Sequence, residues 1–184
     1  MRILMAVPKY PLPIVGGLER QAYALAKALV RRGNIVDVLS SRFAPGQTDF
    51  ETIDGVRVHR LKWIDFRPVR FAMFPFAVAQ ILFKLRREVD LVHVHSISWF
   101  GAFVTLFSKA LGLPVINKLP NIGDFGIPGI RRCLFGFLRV ALLKSSDAIV
   151  ALTPDSLKEL DGVGYPEVRV LRMSNGIPFH SAKF

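Results

Sequence analysis

Three short segments of the chain carry residue types that could do chemistry, and the first is a pair of glycines. Gly16 and Gly17 separate an apolar run, residues 2–7, from an amphipathic run that begins at Leu18. A strand, a loop and a helix in this order place free helix N–H groups beside the glycines, where they can bind an anion. A tight turn that needs the backbone freedom of glycine would also explain these two residues. The pair therefore indicates an anion site or a turn, and it matches neither the dinucleotide fingerprint nor the P-loop.

The second segment is a pair of histidines on a predicted strand, residues 90–96. His93 and His95 alternate along it, so their side chains lie on the same face. His95 and Ser96 stand at the carboxyl end, where α/β proteins bind ligands, whereas His93 is deeper and is expected in the core. Two histidines without a nearby cysteine or acidic partner make a poor zinc site, so we expect no metal here.

The third segment joins Lys118 to a glycine-rich loop, residues 120–129. Lys118 ends a predicted strand, where its ammonium could stabilise an anionic group as a point charge or could be an ordinary strand-end lysine. Asn121, Gly123 and Asp124 lie in the loop, whose glycines suit a mobile lid.

Alternating strands and helices would position these segments. The predicted strands cover residues 2–7, 35–41, 90–96, 113–119, 148–153 and 168–173. The predicted helices cover residues 18–31, 75–89, 99–112 and 130–144, and a short helix begins at Thr153-Pro154. Asp54-Gly55, between two alternating runs, predicts a hairpin. The pattern favours an α/β fold, with a Rossmann-like, mainly parallel sheet and helices on both faces.

Composition limits the class of protein. The chain has 184 residues, of which 51% are hydrophobic, so it can bury a core as a single domain. Cys133 is the only cysteine and the first residues lack the layout of a signal peptide, which favours a cytoplasmic location. The net charge of +11 indicates a phosphate-rich partner or a membrane surface.

Five segments, taken in order, carry a family resemblance. They are GGLERQAYALAKALVRRGNIVDVLS, IDGVRVHRL, DLVHVHS, SDAIVALTPDSLKEL and GYPEVRVLRMSNGI. Together they resemble the amino-terminal domain of family-4 (group 1) retaining glycosyltransferases of the GT-B fold. In such enzymes the active site lies in a cleft between two Rossmann-like domains, and the amino-terminal one supplies mainly the acceptor side.

The resemblance implies a hexosyltransferase type of activity, in which a sugar moves with retention from a nucleotide-diphosphate sugar to a glycan or lipid-linked acceptor, as in cell-envelope polysaccharide synthesis. It also implies roles for residues: catalytic, His95 and Lys118; donor-diphosphate loop, Gly16, Gly17 and Glu19; acceptor binding, Ser96, Asn121, Gly123 and Asp124; interdomain hinge, Asn175 and Gly176. Glu19 is equally expected as a first-turn acid favoured by the helix dipole. No metal or other cofactor is expected, because helix dipoles and basic side chains neutralise the leaving diphosphate.

The chain departs from the family pattern in two places. Many members carry a histidine just after the strand that here ends at residue 119, but Pro120 and Asn121 stand there, and the charged neighbour is Lys118. The basic pair and spaced glutamates of the family's carboxyl-terminal domain do not follow residues 174–177. We therefore expect residues 1–184 to form one acceptor-side domain that is inactive without its carboxyl-terminal partner domain.

Two other classes stay open on the residues alone: a stand-alone nucleotide-binding module, and a nucleic-acid-binding protein without transferase activity. The first should show a glycine fingerprint and an acid after the second strand, where residues 40–42 are Ser, Ser and Arg. The second would explain the charge, but the aromatic residues lie in apolar segments with no RNA-binding or zinc pattern. We expect no nucleic acid partner.

A stretch from residue 57 to residue 87 suits an anionic membrane surface. Its basic residues are Arg57, Arg60, Lys62, Arg67, Arg70, Lys84, Arg86 and Arg87, and its aromatic residues are Trp63, Phe66, Phe71, Phe74, Phe76 and Phe83. Basic groups near such a surface contribute about 1 kcal/mol each, and aromatic rings settle in the interface. The basic helix predicted at residues 130–144 could extend this surface, which would place the protein on the inner face of the membrane. The same composition is also expected if the phenylalanines lie in the core and the charged side chains are simply solvated.

Overall fold

The computed structural model describes residues 1–11, 16–62 and 67–176, with the backbone alone for residues 67–72. Its centre is an eight-stranded sheet with the order β3-β4-β2-β1-β5-β6-β7-β8. The strands are β1 (Arg2–Ala6), β2 (Ile35–Ser41), β3 (Phe50–Ile53), β4 (Val56–Leu61), β5 (Leu91–Val94), β6 (Val115–Leu119), β7 (Ala148–Ala151) and β8 (Val170–Arg172). Among these described strands, all neighbours are parallel except β3 and β4, so the predicted mainly parallel sheet is confirmed.

Helices cover both faces of the sheet, as predicted. They are α1 (Gly17–Arg31), α2 (Arg67–Leu85), α3 (Trp99–Ala110), α4 (Ile127–Arg132), α5 (Gly136–Lys144) and α6 (Pro154–Asp161). Ala22 of α1 packs in one core cluster with Met5 and Val38. Val78 of α2 and Val104 of α3 belong to a second cluster, on the opposite face of the sheet. Small and branched apolar side chains thus fix one helix layer on each side.

The strand order reverses at β1, which determines where the connections separate. β1 pairs with β2 on one side and with β5 on the other. The connections after β1 and β5 therefore leave the carboxyl edge in opposite directions and open a crevice between them. In open α/β sheets, ligands bind in this crevice.

Two predicted boundaries differ in the structure, and one turn is confirmed. Asp54 and Gly55 have φ angles of +51° and +79° and form the predicted hairpin turn between β3 and β4. The prediction that a helix begins at Pro75 is wrong, because α2 begins at Arg67 and continues through the proline. Burial of Val78 and Leu82 against the sheet outweighs the hydrogen bond that proline removes.

The predicted helix at residues 130–144 is two helices. Cys133 is extended and Phe135 has a left-handed φ of +57°, so α4 ends at Arg132 and α5 begins at Gly136. A Cβ atom on Gly136 would lie 1.9 Å from the carbonyl oxygen of Ile130. The break lets the two helices approach more closely than a side chain would permit, which a helical residue pattern does not reveal.

A buried ionic cluster lies toward the amino edge of the sheet. Asp37 of β2 is fully buried, and its carboxylate accepts hydrogen bonds from Arg2 Nε and Arg57 Nη2, each at 2.8 Å. The ring nitrogen Nε2 of His59 lies 2.8 Å from the other carboxylate oxygen. Burial raises the pKa of Asp37, but the hydrogen bonds from His59 and Arg2 and the charge of Arg57 together hold it below its usual value.

This part of the fold removes two cations from the basic surface predicted at residues 57–87. Arg57 binds Asp37, and the buried Arg60 pairs with Glu51 and donates to the carbonyl oxygen of Tyr10. Trp63 and Phe66 lie outside the described residues, as do the side chains of Arg67, Arg70 and Phe71. Within the described part of the chain, no helix is long and apolar enough to cross a membrane.

Candidate active site

The glycine pair lies at the crevice and forms the start of α1. Gly16 is the N-cap residue in an extended conformation, with φ −148°, and Gly17 is the first helical residue. Neither glycine has the left-handed φ that a glycine-dependent turn would require. A Cβ atom on Gly17 would meet nothing within 4 Å, so no described residue packs against this position at the start of the helix. The Glu19 carboxylate folds back over this end, since its Oε2 lies 2.8 Å from the position of a Cβ on Gly16.

Lys118 connects three distant parts of the chain. Its side chain is 4% exposed, and its ammonium donates to Gln21 Oε1 of α1 and to Asn175 Oδ1, each at 2.6 Å. Gln21 stands four residues after Gly17, so the ammonium lies close to the amino-terminal part of α1. The described residues provide it with no ion pair, and burial lowers its pKa to about 8.

The two histidines lie side by side next to Lys118. Their ring centroids are 4.1 Å apart, which confirms that they share a face of β5. His95 is fully buried, whereas His93 keeps some exposure, so the expectation that His95 is the histidine open to the cleft is wrong. The reason is that the His95 N–H still bonds the carbonyl oxygen of Ala6, which keeps this residue within the sheet layer.

Neither ring nitrogen of His95 has a hydrogen-bond partner among the described residues, and Nε2 of His93 also lacks one. Burial, then the neighbouring His93 and Lys118, hold the pKa of His95 well below its usual value. Burial and Lys118 lower the pKa of His93 to about 4. Both rings are therefore neutral at physiological pH, and Lys118 is the one cation of the three groups.

Ser96 follows the histidines and leads into α3. Its hydroxyl donates to Ser98 Oγ at 2.7 Å and accepts from the Ser98 N–H. A Cβ on Gly101 would lie 1.7 Å from the Ser96 carbonyl oxygen, so α3 packs directly on this turn. Ser96 is held at the carboxyl edge, with its hydroxyl already engaged.

The loop after β6 is a compact turn. Asp124 is exposed and pairs with Arg132 at 2.7 Å, and Gly123 has a φ of +64°. Glu159 of α6 accepts from the Ile127 N–H at 2.8 Å and also from the Gly123 N–H. A Cβ on Gly129 would lie 1.8 Å from the Asp124 carbonyl oxygen, so close packing accounts for that glycine without a mobile lid.

The predicted site residues fall into two groups. In the first group, Lys118 is hydrogen-bonded to Gln21 of α1, the helix that begins at Gly17, and to the predicted hinge residue Asn175. His95 lies close enough to Lys118 for the ammonium to lower its pKa. Asn121 instead lines a separate cavity of about 300 Å³, together with Pro120, Phe125 and Thr153. Gly176 is exposed, and a Cβ there would meet nothing within 4 Å. The described residues contain no cluster of three or more His, Cys, Asp or Glu side chains that could hold a metal ion.

Sequence reasoning missed a larger cleft of about 830 Å³. Its lining residues are Pro8, Lys9, Ser41, Arg42, Phe43, Ala44, Pro45, Phe74, Ser98, Trp99, Phe100 and Phe103. It also missed Gln21. Most of the lining residues follow β1 or β2 or begin α3. Ligand-binding residues are expected at the carboxyl ends of parallel strands, and a search of the residues after β2 would therefore have indicated the cleft.

A family model for the glycosyl transferase 4-like domain matches residues 16–176. The chain belongs to this family. The matched residues include the glycine pair, both histidines, Lys118 and Asn175, which are the groups that the fold gathers at the crevice. The family resemblance of the five sequence segments is thereby confirmed.

Known relatives of this glycosyl transferase 4-like domain are longer than the chain. It is 31% identical over 137 residues to an uncharacterized glycosyltransferase of Methanocaldococcus jannaschii, a match that covers 72% of this chain and 33% of the relative. HepE of Anabaena, solved in complex with UDP and glucose, superposes with a TM-score of 0.68 at 17% identity, over 96% of this chain and 45% of that one. Sucrose-phosphate synthase of Thermosynechococcus elongatus gives 0.66 at 16% identity, over 88% and 44%. The fold is thus that of a GT-B amino-terminal domain, and the chain spans a third to under a half of these proteins.

Proposed function

We propose that this domain is the acceptor-side half of a glycosyltransferase that moves a sugar, with retention, from a nucleotide-diphosphate sugar to a glycan or lipid-linked acceptor. One observation carries the proposal: the open N-terminus of α1 at Gly17 and the buried ammonium of Lys118 are tied together by Gln21 at the crevice of a GT-B domain. Both groups favour negative charge. The complex of HepE with UDP and glucose, a protein of the same fold, supports this choice of donor.

In the proposed reaction, the chain stabilises the charge of the leaving diphosphate. The N–H groups at Gly17 approach the phosphates, and Gly16 and Gly17 keep the approach free of side chains. The Lys118 ammonium adds a positive charge behind this helix end. Because these groups supply the neutralising charge, we propose that transfer needs no bound metal or cofactor.

The remaining predicted residues have supporting roles. The neutral, unpartnered ring of His95 supports Lys118 from the side, and it would reach substrate only if the crevice rearranged. Ser96, Asn121, Gly123 and Asp124 would contact the acceptor, and Glu19 would sit beside the diphosphate. Asn175 and Gly176 would form the hinge, and the bond from Lys118 to Asn175 would relay the position of a second domain to the site.

Residues 1–184 alone are proposed to be inactive. In a two-domain transferase the donor is held chiefly by the other domain, and these relatives are a little over twice as long as this chain. A few N–H groups in water cannot match the water-excluded, preorganised stabilisation of a closed cleft. Acceptor binding should survive in the isolated chain.

The test compares residues 1–184 with a two-domain protein in which they are joined to a carboxyl-terminal domain of the same family. Each is supplied with radiolabelled nucleotide-diphosphate sugars and a lipid extract. We expect transfer by the two-domain protein only. Transfer by residues 1–184 alone contradicts the half-enzyme proposal, and failure of the two-domain protein with every donor contradicts the activity itself.

We also propose that the domain lies on the inner, anionic face of the membrane through the α4–α5 surface, defined by Phe125, Arg131, Arg132, Leu134, Phe135, Phe137 and Leu138. Phe125, Leu134 and Phe137 are between 73% and 79% exposed, although they are large and apolar. The break at Phe135 exposes these side chains, and the two arginines stand beside them. Exposed aromatic groups next to cations suit an anionic lipid interface.

Vesicle flotation tests this surface. We expect recovery with anionic but not neutral vesicles, and loss of recovery in Phe137→Ser. Phe76→Ser on α2, a residue of similar exposure, is the matched variant for the surface predicted at residues 57–87. Equal recovery with neutral and anionic vesicles, or an unchanged Phe137→Ser, contradicts the assignment.

A further inference from the structure

The cleft of about 830 Å³ has walls that are unusually aromatic for a groove on a basic domain. Phe43, Phe74, Trp99, Phe100 and Phe103 line it. Two ring pairs form parts of the wall: Phe74 with Phe100, at 5.8 Å between centroids, and Trp99 with Phe103, at 5.6 Å. Its size lies in the range of roughly 300–1,000 Å³ typical of small-molecule sites, and such walls exclude water from an apolar ligand.

The charged side chains that line this aromatic cleft, Lys9 and Arg42, are cationic. Lys9 is exposed, has no ion pair among the described residues, and lies 5.8 Å from the centroid of the Phe43 ring. Arg42 pairs with Asp49, while its Nε is buried without a partner. None of the described residues that line the cleft is acidic.

This combination discriminates between ligand classes. A glycan of matching size would place hydroxyl groups against aromatic walls that offer few hydrogen-bond partners, Ser41 and Ser98 among them, and each unpaired group would be costly. A purely apolar ligand would leave the cations without a role. A chain that is apolar along its length and anionic at one end satisfies both parts of the cleft.

The position of Lys9 indicates which end faces the donor. Lys9 follows β1 and belongs to the connection that ends at Gly17, where the leaving diphosphate is proposed to bind. An anionic group held by Lys9 would therefore lie at the carboxyl edge of β1, the same edge of the sheet as the proposed site of transfer. The apolar chain would extend away from it, along Phe103 and Trp99.

From these observations we infer that the aromatic cleft binds the acceptor as a lipid whose apolar chain ends in a phosphate, with the chain against the aromatic walls and the phosphate at Lys9 and Arg42. The inference rests on the proposed function and specifies its acceptor class. It assigns the cleft, rather than the loop at Asn121, as the place where the lipid portion is held.

Direct binding tests the assignment without any donor. Farnesyl phosphate is titrated into the 184-residue chain below the concentration at which it forms micelles, and farnesol and inorganic phosphate are titrated in parallel. We expect farnesyl phosphate to bind at least about tenfold more tightly than either, since chain and phosphate each contribute. Equal binding of farnesol, or of inorganic phosphate, overturns the inference.

Matched variants locate the binding. Lys9→Gln should remove the preference for farnesyl phosphate over farnesol, while Lys62→Gln, an exposed lysine outside the cleft, should leave it intact. Phe103→Ser should weaken the binding of farnesyl phosphate at least about tenfold, and Phe137→Ser should leave the binding unchanged. Because Lys9 is exposed, its variant will fold even if Phe103→Ser does not. Indistinguishable behaviour of the two lysine variants overturns the assignment.

A final comparison separates the acceptor lipid from the bulk membrane. Lys9→Gln should float with phosphatidylglycerol vesicles as the unmodified chain does; a parallel loss of flotation overturns the cleft as a lipid-acceptor site. If the two-domain protein transfers sugar to a water-soluble glycan while farnesyl phosphate fails to bind, the cleft assignment fails and the proposed function stands. If farnesyl phosphate binds but the two-domain protein transfers sugar to no acceptor, the proposed function fails and the cleft still binds a lipid phosphate.

Discussion

The two ends of the sheet bury charge in opposite ways. Toward the amino edge, the carboxylate of Asp37 is matched by two arginines and a histidine, all at 2.8 Å. Toward the carboxyl edge, the ammonium of Lys118 has two amide oxygens and no carboxylate among the described residues. His95, beside it, has no partner for either ring nitrogen in the same part of the chain.

The difference separates a structural cluster from a functional one. Where a buried charge has a full set of partners, removal of any one of them destabilises the fold. The remaining charges would then be buried and uncompensated. A buried charge with neutral partners costs stability, and such groups concentrate where a ligand supplies the missing charge. We therefore expect changes at the amino edge to affect unfolding, and changes at the carboxyl edge to affect transfer.

Asp37→Asn should have the largest effect, and on stability. The side chain keeps its size but removes the buried counter-charge of Arg57 and leaves Arg2 with only the exposed Glu88, so we expect a loss of about 3–5 kcal/mol in the free energy of unfolding. Because the pKa of Asp37 is lowered in the folded state, its contribution is present above the ordinary carboxyl pKa and is lost as pH falls through the folded value.

Urea unfolding at neutral pH measures this loss. Glu167→Gln, which removes an exposed carboxylate paired with Arg172, is the control and should change stability by less than about 1 kcal/mol. If the two variants unfold at the same urea concentration, the amino-edge cluster is not the structural one.

Gly17→Val should have the next largest effect, on transfer. The branched side chain would occupy the open space at the start of α1 and block the diphosphate from the N–H groups, which we expect to lower kcat by about 10²–10³-fold in the two-domain protein. Gly17→Ala, with one methyl group, serves as the intermediate variant. Full activity of Gly17→Val contradicts the role of the helix end, and unfolding of both variants would show that the glycine is structural.

Lys118→Met should lower transfer by about 10–100-fold, since it removes the ammonium but leaves the N–H groups at the start of α1 to stabilise the diphosphate. If the charged form is the active one, transfer by the unmodified two-domain protein should also fall as pH rises through about 8. Stability should stay the same or increase, because a buried charge without a carboxylate partner is replaced by an apolar side chain of similar length. Strong destabilisation with unchanged transfer would make Lys118 a structural residue like Asp37.

The sheet, the hairpin and α1 could be predicted from sequence, but the long-range hydrogen bonds of Lys118 could not. The apolar runs, the Asp54-Gly55 turn and the helical spacing after Leu18 are local signals, so the sheet, the hairpin and α1 followed from them. The bonds of Lys118 reach Gln21, 97 residues away, and Asn175, 57 residues away, and no local pattern reports them. The break at Phe135 was missed for a related reason: the close approach of Gly136 to Ile130 is a tertiary contact, and the residues between them suit a helix.

The smallest expected effect is an alkaline change in stability that tests whether the charged form of Lys118 costs stability, as the charged form of Asp37 does not. Burial lowers the pKa of Lys118 from 10.5 to about 8, so between these values the unfolded chain binds a proton that the folded chain does not. Stability should therefore rise with pH across this window, because the folded chain loses a buried ammonium that costs stability, whereas in acid the folded chain loses a buried carboxylate that contributes stability. Urea unfolding of residues 1–184 at pH 7.5 and pH 9.5 measures the rise, and subtraction of the same pair of measurements for Lys118→Met removes the contribution of every other group. A difference of zero would mean that Lys118 titrates in the folded chain as it does in the unfolded one. A difference of the opposite sign would mean that an acidic partner stabilises its charge, and Lys118 would then belong with Asp37 among the groups that hold the fold together.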